Sequence, residues 1–201
     1  MMHIMRKTPV NQRTAAKEAS HQRIVDVASR AIRRSGYGGT GVADIMKEAG
    51  LTHGAFYAHF DSREAMLAEA ADRAGAAANA AAASIVAAVP PDQSLRALVT
   101  TYLSREHVNG VENGCPVSAL GSEMPRQSPE VRRAATLRIK EMVDLVARQM
   151  PDWGQPAAHE RALATVASMV GTLMLARAVD EPALSEAFCA ATLKKLDCSD
   201  A

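Results

Sequence analysis

The sequence predicts an all-α protein: an N-terminal three-helix unit containing a helix-turn-helix, then a larger helical body, with about nine helices in all. Three observations predict it. Hydrophobic residues make up 48% of the chain but aromatics only 3%, and alanine is heavily used, which suits helices packed through small side chains better than sheets. Apolar residues recur at helical spacing and no strand-like alternation persists. Gly36, Gly50, Pro90-Pro91, Pro151 and Pro156 punctuate the segments where helices must end. At 201 residues the chain can bury a sizeable core in one large domain or two small ones.

Residues 1–16 are polar and basic without a period and read as a flexible arm. A helix over 17–35 follows, with Ile24, Ala28, Ala31 and Ile32 on one stripe, Arg23, Arg30, Arg33 and Arg34 mostly off it, and Gly36 as its left-handed stop. A Gly-rich corner leads to a short helix near 42–49 with Val42, Ile45, Met46 and Ala49 inward. Gly50 makes the turn, and Thr52 caps a helix through about His59. Asp61 and Glu64 form a D-x-x-E capping box for a long alanine-rich helix ended by Pro90-Pro91. Asp92 caps a helix with Leu95, Leu98, Val99, Tyr102 and Leu103, residues 109–114 read as a loop, and a short helix starts near Cys115-Pro116. Ser128-Pro129-Glu130 opens a helix to Met150, and two more cover 157–178 and 182–197. The domain organisation is then an arm (1–16), a helix-turn-helix unit (17–62) and a helical body (63–201).

The formal net charge is only +1, but it is unevenly placed. Residues 1–75 carry eleven basic and eight acidic side chains and the remainder twelve and fourteen, a mildly basic first third on a mildly acidic body. The start lacks the apolar core of a secretory signal. The uncharged runs 74–91 and 162–176 read as buried helices rather than membrane spans, so a cytoplasmic location without membrane attachment is expected. Cys115, Cys189 and Cys198 make no disulfide framework. No metal-ligand spacing, no Ser-His-Asp arrangement and no phosphate loop stands out, so no cofactor, metal or enzymatic activity is expected.

Residues 36–67, GYGGTGVADIMKEAGLTHGAFYAHFDSREAML, carry the most information. Gly36, Thr40, Asp44-Ile45, Ala49-Gly50, Thr52, His53, Gly54, Phe56-Tyr57, His59-Phe60, Ser62, Arg63 and Glu64 follow one another at fixed spacing. In this the stretch resembles the DNA-binding domain of the TetR family of bacterial transcriptional regulators. The resemblance implies that Thr52, His53 and Ala55 face base edges and nearby phosphates, with Gly54 permitting close approach. It implies phosphate contacts from Thr40, Tyr57, His59 and Arg63, with Phe56, Phe60, Ile45 and Leu51 as core. Gly41 departs from the family's usual Ser or Thr, and His53 from the usual Lys or Arg, which makes charge there pH-dependent.

For the body, the resemblance implies a small-molecule effector site and a homodimer formed through the last two helices, reading a palindromic operator in double-stranded DNA. Val166, Met169, Val170, Leu173 and Phe188 are the interface candidates, with a purely intramolecular core as the alternative. Tyr102, His107, Met124, Met142, Met150 and Trp153 are pocket candidates, with ordinary core packing as the alternative. Cys115 is either a small buried residue at a helix start or a reactive thiol favoured by the helix dipole, since GCPVSALGSE resembles a cysteine-bearing subset of the family. The expected function is a ligand-responsive repressor. A thiol-based sensor of electrophiles or oxidants is the alternative, and an interaction module or enzyme on the same scaffold a remote one.

Overall fold

The computed structural model describes residues 9–196. Among them are nine α-helices, four short 3-10 segments and no strand. The first helix, α1, spans Pro9–Ser35, so it starts eight residues before its expected position; residues 1–8 of the anticipated arm lie outside the described residues. Gly36 ends α1 with φ +74°. A Cβ at Gly36 would also sit 2.4 Å from the Glu123 carboxylate, which would have to move from its place against the Tyr37 N–H. Helix α2 spans Val42–Glu48, and a 3-10 helix over His53–Ala58 stands where an α-helix to His59 was expected. Helix α3, Arg63–Ala87, is capped by Ser62, whose hydroxyl accepts from the Ala65 N–H, rather than by the anticipated Asp61.

The body continues with α4, Ser94–Tyr102, and α5, Arg105–Asn109, a short helix that leads into the expected loop at 109–114, where a 3-10 turn covers Val111–Asn113. Helix α6 spans Pro116–Leu120, α7 Pro129–Ala147, α8 Pro156–Ala178 and α9 Pro182–Leu196. Four of these begin at a proline, where a missing N–H leaves no helical hydrogen bond unmade. No helix among the described residues is long and apolar enough to cross a membrane.

Two cores organise the chain. The first joins α1, α2, the 3-10 helix and the first half of α3 through Ile24, Ile32, Ile45, Met46, Phe56, Phe60 and Met66. It also takes in Leu120 of α6 and Val131 of α7, so the N-terminal unit shares its core with the body. The second joins α4, α7, α8 and α9 through Leu98, Met142, Val146, Met169 and Leu173, with Ala82 and Val86 of α3 against it. Helix α3 thus serves both.

The α3–α7 packing is close and polar at its centre. The Arg138 guanidinium donates to both Asp72 carboxylate oxygens at 2.8 Å and to Glu141 at 2.8 and 3.0 Å. The Asn79 amide donates to the Arg138 carbonyl at 3.0 Å and to Glu141 at 3.2 Å. Gly75 permits this approach, since a Cβ there would lie 2.5 Å from that of Arg138. Adding that methyl improves helix propensity by up to about 1 kcal/mol, while forcing overlap against the base of a side chain costs typically about 1–3 kcal/mol. Gly75→Ala is therefore expected to lower stability by about 1–2 kcal/mol, read as a reduced urea midpoint at unchanged slope; an unchanged or higher midpoint would show that α3 and α7 separate freely.

Candidate nucleic-acid interface and cavity

The 3-10 helix sorts its side chains by depth. Phe56 and Phe60 stack at 5.5 Å between ring centroids inside the first core. Tyr57, between them in sequence, is 73% exposed, its ring held edge-on against Phe56 and beside His53. Thr52, His53 and Gly54 are exposed next to it, and Ala55 is half-buried against the core. A projecting phenol, a hydroxyl, an imidazole and a glycine that admits close approach make a surface able to donate to phosphates and base edges in a groove.

Two of the expected phosphate ligands are engaged within the protein. Thr40 is buried, and its hydroxyl donates to the Gly36 carbonyl at 2.7 Å, so it offers no free donor. Arg63 donates to the Tyr37 carbonyl and, at 3.1 Å, to that of Thr40, tying the corner after α1 to the start of α3. His59 is half-buried with its Nδ1 making no hydrogen bond. Burial first, and then the nearby positive groups of His21, Lys17 and Arg23, push its pKa down. His21 itself stacks on Phe60 at 4.6 Å and bonds Glu69 at 2.7 Å.

In the body, Tyr102, His107, Cys115 and Met142 line one cavity of about 380 Å³, bounded on the α3 side by Ala78, Ala81 and Ala82. Two other pocket candidates lie elsewhere: Met124 packs at the edge of the first core, and Trp153 is 54% exposed in the turn before α8. Met150 is buried in the second core. His107 is fixed at both ring nitrogens. Its Nε2 accepts from the Cys115 N–H at 3.0 Å, so Nδ1 carries the proton and donates to the Tyr102 carbonyl at 2.7 Å. Burial lowers its pKa and keeps this neutral form. Among the described residues no group of His, Cys, Asp or Glu can hold a metal ion.

Behind the cavity lies a polar lattice that sequence reading missed. Arg33, expected off the apolar stripe, is only 6% exposed and donates through Nη1 to the Gly114 carbonyl at 3.1 Å. Arg177 donates to the carbonyls of Val108 and His107 and to the Ser118 hydroxyl. The Tyr37 N–H donates to Glu123 at 2.9 Å. A charged residue amid an apolar helix repeat reads as solvated, and no local signal in the sequence distinguishes one that is swallowed by a distant loop.

Of the interface candidates, Val166, Met169 and Leu173 are buried in the subunit's own second core, and Val170 and Phe188 are half-buried. The apolar surface left open on α8 is the opposite face, with Leu163 and Leu175 each 49% exposed along with Ala164 and Ala167, and Leu184 of α9 is 41% exposed.

Comparison with known proteins agrees with this architecture. The family described as bacterial regulatory proteins, tetR family, matches residues 24–70, and the family described as transcriptional regulator LmrA/YxaF-like, C-terminal domain, matches residues 91–185. No curated protein matches the sequence. Among solved structures, the reduced form of Escherichia coli NemR is similar at 17% identity and TM-score 0.76, over 89% of this chain and 95% of its own. A TetR transcriptional regulator from Chloroflexus aurantiacus is similar at 23% identity and TM-score 0.76, over 92% and 97%. A TetR-family regulator from Agrobacterium tumefaciens is similar at 20% identity and TM-score 0.74, over 89% and 98%. At these identities the structures share the fold, while the two matched families identify both halves. The chain belongs to the TetR family of bacterial transcriptional regulators.

Proposed function

We propose that the protein is a homodimeric repressor that leaves a palindromic operator when a small molecule enters the cavity beside Tyr102. The exposed surface around Tyr57, His53 and Thr52 reads the major groove, and the open faces of α8 and α9 join two subunits so that their reading elements lie about 34–36 Å apart, one turn of DNA. The observation that carries the proposal is the Arg33–Gly114 hydrogen bond. It ties helix α1, beside the reading element, to the backbone that forms the cavity wall at Gly114 and Cys115. A ligand pressing on that wall displaces the anchor of α1, and a coupling of about 1–3 kcal/mol suffices for a 5- to 150-fold change in affinity.

A thiol-triggered release is a second reading, favoured by the position of Cys115. It lines the cavity at the start of α6, with Arg33 bonded to the adjoining Gly114 carbonyl and Arg177 to Ser118. The NemR structure to which this chain is similar is described as a reduced form.

Three outcomes test these readings on an operator selected from genomic fragments. Tyr57→Ala is expected to weaken operator binding by about 1–2 kcal/mol, roughly tenfold, with the melting temperature unchanged because the side chain is 73% exposed; wild-type affinity in fluorescence anisotropy would exclude the proposed docking. Arg33→Met keeps an unbranched apolar stem and removes the link to Gly114, so ligand-free operator affinity persists while release by a bound ligand shrinks several-fold. Full release by ligand in that variant would show that the signal travels elsewhere. Alkylation of Cys115 by a maleimide, confirmed by mass, is expected to lower operator affinity if the thiol is the trigger, and unchanged affinity would remove that reading.

A further inference from the structure

The cavity has a directional polarity that its volume alone does not convey. Its floor is apolar where Leu98, Met142, Val146 and Met169 meet. At one end stands Tyr102, 9% exposed, whose hydroxyl is buried and makes no hydrogen bond of ordinary geometry, with only the Cys115 thiol and the Ser118 hydroxyl, itself bonded to Arg177 and the Cys115 carbonyl, beside it. Burial holds that phenol far above its ordinary pKa, so it keeps its proton and remains a donor. The ring cannot swing away. It is packed edge-on against His107 at 4.7 Å, and its own carbonyl is taken by the His107 Nδ1–H.

Charge narrows the occupant further. No lysine, arginine or aspartate lines the cavity, and its one carboxylate, Glu106, is exposed. Both His107 nitrogens are engaged, and Arg177 donates once from each of its three nitrogens, to Val108, His107 and Ser118. A cation entering here would meet no carboxylate but the exposed Glu106, and an anion would meet no formal positive charge in the lining to offset its loss of water. Arg177 nevertheless lies close enough to make the potential at the Tyr102 hydroxyl more positive, which suits the negative end of a carbonyl dipole. The volume, about 380 Å³, is at the small end of ligand pockets.

We infer that the cavity takes a compact, uncharged, largely apolar molecule with a carbonyl-type oxygen that accepts a hydrogen bond from the Tyr102 hydroxyl. The assignment rests on the cavity being the effector site, and it names the chemistry that site selects. The apolar body fills the space along α3, and the oxygen is directed to Tyr102 because that buried donor has no well-formed hydrogen bond within the protein.

The test uses three fluorophores on the full chain: prodan, an uncharged naphthyl ketone; N-phenylnaphthylamine, uncharged and lacking a carbonyl; and anilinonaphthalene sulfonate, an anion of similar skeleton. Prodan and the neutral amine are expected to bind saturably, with the sulfonate at least about tenfold weaker than the amine. Tyr102→Phe is expected to weaken prodan about three- to tenfold, the loss of one buried hydrogen bond, and to leave the amine unchanged. Equal prodan affinity in wild type and Tyr102→Phe overturns the assignment, as does sulfonate binding as tight as that of the amine. Ala82→Trp fills the cavity from α3, and probes that bind this variant undiminished also overturn it. Operator affinity in the same samples keeps the two ideas apart. Tyr102-dependent prodan binding without operator release sinks the effector reading and leaves the ligand chemistry standing, whereas no saturable binding of any probe overturns the ligand chemistry itself.

Discussion

A single helix belongs to two cores, and the behaviour of the molecule follows from that sharing. Through Met66, Leu67 and Ala70, α3 packs against α1, α2 and the reading element; through Ala82 and Val86, near its other end, it packs against the body. Between the two, Arg138 clasps it from α7 with paired bonds to Asp72, and Gly75 lets the helices approach closely enough for this to happen. A helix of 25 residues gripped at both ends and in the middle moves as a rigid element. Anything that displaces its cavity-facing half is felt at the half that supports Phe56 and Phe60.

A second connection runs beside it and is polar. Arg33, His107 and Arg177 hold the backbone of residues 107–115 by bonding its carbonyls and N–H groups, and Glu123 accepts from the Tyr37 N–H at the corner after α1. Such bonds are directional, so the wall of the cavity has a defined position rather than a soft one. Arg33 is the least satisfied member: its Nε is buried and unbonded, and burial lowers its pKa.

The sequence revealed the helical architecture because glycine and proline punctuate it and because Phe56, Tyr57 and Phe60 sit at a spacing that forces two rings in and one out. It revealed less where one helix has two apolar sides. Val166, Met169 and Leu173 form a good stripe on α8, but so do Leu163, Ala167 and Leu175, and periodicity alone does not say which faces the subunit's own core. Thr40 and Arg63 carry donors whose partners, Gly36 and Tyr37, become neighbours only once the corner has folded. Tyr102, His107, Cys115 and Met142 converge from three separate stretches, and Trp153 was attractive for its size alone while the turn carrying it faces outward.

The cavity exists because side chains on α3 are missing beyond their first carbon. Ala78, Ala81 and Ala82 supply its wall, and alanine is also the residue most favourable to a helix, so the hollow is made without weakening the element that encloses it. None of these positions belongs to the surface around Tyr57, so substitutions that reshape the hollow leave the reading residues themselves unchanged. The shape of the accepted molecule can therefore drift in small steps while its polar end and the DNA sequence being read stay fixed, which separates the evolution of what the protein senses from the evolution of where it binds.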